Sequence, residues 1–93
     1  MSAISGQKTV AAAGTAEALG SGQVHGALMI KALIGNAGQV YIGNDGASDV
    51  TSANGLELAA GDVMIFDTVS NLSALIVDAD NNGEGVSWIM LGL

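Results

Sequence analysis

The stretch GLELAAGDVMIFD, residues 55–67, decides the fold class. Leu56 and Leu58 alternate with Glu57, the two-residue period of a strand with one face in a core. Ala59-Ala60-Gly61-Asp62 supplies a tight turn, and Val63-Met64-Ile65-Phe66 follows without a polar break. This reads as a half-buried strand, a reversal and a returning strand buried on both faces, together a β-hairpin. No residue arrangement within it performs chemistry, so it speaks for architecture alone.

Upstream, ALMIKALI (residues 27–34) puts Leu28, Ile30, Ala32 and Ile34 on one face and Met29, Lys31 and Leu33 on the other. Both faces are mostly apolar, so the second also needs cover. Gly35-Asn36-Ala37-Gly38 is turn chemistry, and Gln39-Val40-Tyr41-Ile42-Gly43 reads as the return of a second hairpin. Residues 44–54, NDGASDVTSAN, form a polar loop of a length that often carries function in a compact domain. Downstream, residues 74–78 and 86–91 read as strands. Toward the N-terminus, residues 8–12 read as a first strand and 14–19 as a second, because Gly14, Gly20 and Gly22 confine any helix there to about two turns. Residues 1–7, small and polar around a lone Ile4, read as a flexible arm, leaving a single β domain over 8–93. Short strands with turn signals about every 8–12 residues predict an all-β fold, a small antiparallel sandwich or barrel, with a jelly roll among the candidates.

Ninety-three residues make one domain near the small end of what a single core stabilises. There is no cysteine, and only Tyr41, Phe66 and Trp88 are aromatic, so the core is built from Ala, Val, Ile, Leu and Met. Such a core leaves little spare stability and favours self-association or docking on a larger body. Two lysines and no arginine face nine carboxylates, a net charge of −7. That balance argues against nucleic acid, which is bound by clustered cations, and suits a basic protein surface. No apolar run approaches the ~20 residues of a membrane helix, and no basic-then-apolar leader is present, so the expectation is a soluble protein without a membrane partner.

Asp78, Asp80 and Asn82, with Gly83, match the opening of an EF-hand calcium loop, but the position of its bidentate Glu is Ile89, inside a strand. A plain polar turn is the preferred reading, with calcium at Asp78, Asp80 and Asn82 as the alternative. His25 is the lone imidazole, with no cysteine and no Gly-x-Ser-x-Gly elbow beside it. The pairs Asp62/Asp67 and Asp78/Asp80 lack a cleft that would split their pKa values. No catalytic residue and no cofactor are expected. Tyr41 and Trp88 could stack on sugar, but each lies in an apolar strand run where packing is the simpler role.

Four stretches carry a resemblance. They are Gly14-Thr15-Ala16, Lys31-Ala32-Leu33 turning into Val40-Tyr41-Ile42-Gly43-Asn44-Asp45-Gly46, Leu58-Ala59-Ala60-Gly61-Asp62-Val63-Met64-Ile65-Phe66, and the closing Gly83-Glu84-Gly85-Val86-Ser87-Trp88. Across roughly residues 14–92 the chain resembles small structural proteins of tailed bacteriophages, above all head decoration (cement) proteins. The resemblance implies a virion protein on the capsid surface, synthesised in the host cytoplasm, whose partner is the major capsid protein. It carries over no catalytic or contact residue. A homo-oligomer fits this role, a trimer at local threefold axes in particular. From the residues themselves, the capsid or self-interface candidates are Ser2, Ile4 and Lys8 in and beside the arm, and an apolar face drawn from Met29, Leu33, Tyr41, Met64 and Trp88. The alternative is a tail or fibre β-module that binds host-surface glycans through residues 44–54.

Overall fold

Successive side chains of a strand point to opposite faces, and eight strands arranged in two antiparallel sheets bury one face of each sheet against the other. The computed structural model describes residues 2–24 and 26–92; the lone imidazole of His25 and Met1 of the expected arm lie outside the described residues. In chain order the strands are β1 (Ser2–Thr9), β2 (Glu17–Ala18), β3 (Leu28–Ala32), β4 (Val40–Gly43), β5 (Leu56–Leu58), β6 (Val63–Phe66), β7 (Ile76–Ala79) and β8 (Gly85–Gly92), with a 3-10 turn at Leu72–Ala74 before β7. The first sheet has the order β1-β8-β3-β6 and the second β2-β7-β4-β5. Pairs β1–β8, β2–β7, β3–β6 and β4–β5 are nested like one long hairpin, and rolling it up sets β3 beside β8 and β4 beside β7. This is the connectivity of a jelly roll.

The core between the sheets follows the parity of the sequence. Leu28, Ile30 and Ala32 of β3 and Val86 and Met90 of β8 meet Val40 and Ile42 of β4 and Val77 and Ala79 of β7, all buried. Leu19, Val24 and Leu72 close one end.

Three expectations are corrected. Neither expected hairpin exists, because β3 and β4 belong to opposite sheets, as do β5 and β6. A two-residue period specifies which side chains share a face but not which strand lies alongside. The turn at 59–62 is tied to β3 instead of β5. Ala32 N–H donates to Asp62 O at 2.9 Å and Gly61 N–H to Ala32 O at 3.0 Å, a bulge that Gly61 accommodates at φ +85. Nor is β6 buried on both faces. It is an edge strand of the first sheet, with Val63 48% and Ile65 58% exposed.

The expected flexible arm is also not seen over residues 2–7, which belong to β1 and pair in register with β8 from Ser2–Gly92 to Thr9–Gly85. Ile4, Gly6 and Lys8 sit opposite Met90, Trp88 and Val86, so β1 covers the second edge of the longest apolar strand. Gly6 permits this, since a Cβ there would stand 2.8 Å from Cζ2 of Trp88. The strand expected over 8–12 ends at Thr9, and the one expected over 14–19 shrinks to two residues. At the open side between the sheets, Lys8 Nζ and Glu17 Oε1 pair at 2.9 Å, holding the Glu17 carboxyl below its ordinary range.

Candidate functional site

Two polar stretches singled out by the sequence have structural work. In residues 78–84 every second side chain reaches a neighbouring loop. Asp78 Oδ1 accepts from Gly14 N–H at 3.0 Å, and Asn82 Oδ1 from Ala13 N–H at 2.8 Å. Asp80 accepts from Gln39 N–H at 2.9 Å and from the Tyr41 hydroxyl at 2.8 Å, and Glu84 accepts from Ala37 and Gly38 N–H. These backbone donors hold the Asp80 and Glu84 carboxyls below the usual range, and hydrogen bonding to Asp80 pushes the Tyr41 phenol up to about 12. Of the three residues of the calcium alternative, Asp78 and Asn82 accept from the loop at residues 13–14 and Asp80 from the loop at residue 39. Among the described residues no group of three or more His, Cys, Asp or Glu could hold a metal.

The loop between β4 and β5 is held mostly by its own side chains, with Asn44 Nδ2 also donating to Ala74 O at 3.1 Å. Asn44 Oδ1 accepts from Gly46 and Ser48 N–H, Asp45 Oδ1 from Ala47 and Asp49 N–H, and Asn54 Oδ1 from Thr51 N–H. Val50 is buried beneath it against Tyr41 and Ile76. The loop therefore lies over the outer side of the second sheet and covers Tyr41.

Among the described residues no such cover lies over the outer side of the first sheet. There the register aligns Ser5, Ile89, Met29 and Ile65 in one row across β1, β8, β3 and β6, and Gln7, Ser87, Lys31 and Val63 in the next. Met29 (41%), Ile89 (43%), Val63 and Ile65 are all exposed. A shallow groove of about 410 Å³ runs over this face beside Lys31, between β1 and β3. The two rows contain no carboxylate, and Lys31 has no ion pair among the described residues. Glu57 and Asp78, by contrast, flank Tyr41 on the second sheet, with Asp45 and Asp49 in the loop above it. The outer side of the second sheet is thus acidic, and the two central rows on the outer side of the first are free of carboxylate around a single cation.

Of the apolar residues named from sequence, only Met29 lies on this face. Met64 and Trp88 turn to the core side of the same sheet, Leu33 is half-buried beyond the end of β3, and Tyr41 belongs to the other sheet. Trp88 lies against Gly6, and its Nε1, buried, has no hydrogen-bond partner among the described residues. Tyr41 is buried, and Trp88 is half-buried at the rim of the groove. Of the arm candidates, Ile4 is 48% exposed at the open edge, Lys8 is engaged by Glu17, and Ser2 is described by its backbone pairing alone. Val63, Ile65 and Ile89 were not legible as surface residues, because an unbroken apolar run looks doubly buried; their odd-numbered parity, shared within β6, was the available signal. Compared with protein-family models, curated proteins and solved structures, the chain matches none.

Proposed function

We propose that this protein is a decoration, or cement, protein of a tailed-bacteriophage head, acting by adhesion and without catalysis. It binds the outside of the assembled shell through the outer face of the first sheet and leaves its acidic side to solvent. The observation that carries this reading is the contiguous exposed row Ile89–Met29–Ile65, extended by Val63. The largest apolar patch on a monomer, commonly a few hundred Å², is often the one that makes functional contact. Burial of this patch contributes at ~25 cal/mol per Å² before association costs. The sequence resemblance supports the same assignment, and the major capsid protein is its natural partner.

The stretch over which all four strands run abreast, set by the four to five residues of β3 and β6, offers about 300 Å² on one face. A stable two-protein interface needs about 800 Å² per partner. One face alone is therefore a weak contact, and a lattice of capsid subunits supplies the rest by holding many copies close together. Trimers at local threefold axes form on the shell in this scheme.

The test is binding of the purified protein to expanded shells that lack decoration. Saturable, stoichiometric binding is expected, and Met29→Glu with Ile89→Glu should weaken it at least about tenfold while the melting temperature holds. Absence of binding by the unmodified protein, or full binding by the double variant, rejects the proposal.

A further inference from the structure

The apolar row ends at β6, and among the described residues β6 has no neighbour on its far side. The hydrogen bonds of Ala32 to Asp62 and Gly61 set the alternation along the β3–β6 ladder. Residues 62, 64 and 66 turn their backbone groups to β3, so those of Val63 and Ile65 point to the open edge. Leu33 N–H donating to Gly85 O at 3.0 Å agrees with this, since it places the odd-numbered residues of β3 on the β8 side. Val63 and Ile65 therefore combine exposed apolar side chains with unpaired backbone donors and acceptors. Among the described residues nothing bonds to those groups.

Edge strands are commonly protected by charge, and this one is bracketed by the exposed carboxylates of Asp62 and Asp67. A second copy is a poor occupant. Antiparallel pairing of two β6 edges with matching faces brings Asp62 of one copy within a residue of Asp67 of the other. The chain has two lysines with which to offset that, of which Lys8 is paired with Glu17 and Lys31 lies in β3.

We infer that β6 is a strand-acceptor edge for an extended segment of a partner protein, apolar at alternate positions and basic at both ends. The segment adds as a fifth strand to the first sheet. Its backbone pairs with Val63 and Ile65, its apolar side chains extend the row Ile89–Met29–Ile65, and its cations meet Asp62 and Asp67. This deepens the adhesion reading given above and rests on it for the identity of the partner, but it is tested without the shell.

The probe is the capped peptide Lys-Thr-Val-Thr-Val-Lys, compared with its Glu-flanked counterpart and with a form N-methylated at both valines. Binding to the full chain is followed by NMR. The Lys-flanked peptide should shift the Val63 and Ile65 amides and bind at least about tenfold more tightly than the Glu-flanked one at low salt. The N-methylated form should not bind. Asp62 now accepts from the Ala59 N–H at 2.9 Å, and in the double variant Asp62→Asn/Asp67→Asn the side-chain amide oxygen at position 62 can still do so. In that variant the preference should fall to about twofold or less. The inference is overturned if the Lys-flanked peptide leaves these amides unmoved at millimolar concentration, if both peptides bind alike, or if concentrating the protein alone shifts the same amides by self-pairing. Shell binding without peptide binding rejects this edge while sparing the decoration role; the reverse result rejects the role and keeps the edge.

Discussion

At Gly6 a methyl group has nowhere to go, because the Trp88 ring occupies the space at 2.8 Å. Gly6→Ala should cost about 1–3 kcal/mol by overpacking, read from chemical denaturation, with a shift in Trp88 fluorescence as the ring moves. The carboxyl clasp has its own signature. Asp80 and Glu84 titrate lower in the folded chain than in the unfolded one. Their stabilisation is therefore complete above the unfolded carboxylate value of about 4 and is lost as pH falls through the lower folded values. Tyr41 runs the other way. Its phenol is raised to about 12, so its contribution holds below the unfolded value and disappears as pH climbs toward 12. Glu84→Gln should lower the melting temperature at pH 7 and flatten its decline between about pH 5 and pH 3, whereas an unchanged acid profile would remove Glu84 from the clasp. The oxygens at 78, 80, 82 and 84 were visible in sequence as a regular polar series. Their targets, backbone donors at residues 13, 14 and 37–39, were not, because those loops meet only once the chain is rolled.

Strands β3 and β6 show how one element divides its labour by parity. Ile30, wholly buried, should cost about 2–5 kcal/mol as Ile30→Ala. Ile65→Ser, on the outer face of the neighbouring strand, should stay within about 0.5 kcal/mol of the parent, although a β-branched residue is lost from a strand. Denaturant melts of the two variants measure the contrast, and equal losses would mean that the outer face is covered. Strand β1 behaves as part of the fold. Deleting residues 2–7 bares the β8 edge, including the Gly6 contact with Trp88, and should lower the melting temperature by about 10 °C or more; an unaltered melt would restore the flexible-arm reading. Strand existence was legible from short apolar runs at 28–32, 40–43 and 76–79 and from alternation at 56–58, while β1, polar on one side and interrupted by Gly6, gave neither signal.

For the molecule as a whole, the asymmetry between the two sheet faces governs behaviour. The second sheet carries Glu57, Asp78 and the acidic loop, and the first presents an apolar surface around Lys31. Free copies repel one another through a net charge of −7 and gain only about 300 Å² by meeting face to face. Sedimentation at about 10 µM and low salt should therefore give monomer, with assembly reserved for the shell; a stable dimer or trimer in dilute solution would contradict this. Composition and period by themselves determined the all-β class, the Gly and Asn turns, the aliphatic core and the acidic charge, since each depends on local residue order or on counting. The rolled connectivity, the separation of β5 from β6, the burial of Tyr41 under the 44–54 loop and the exposure of Val63 and Ile65 were decided by tertiary structure. The physical reason is that strand alternation specifies two faces without saying which of them meets a second sheet. Long-range pairing across the chain, from β1 to β8 inward to β4 and β5, makes that choice.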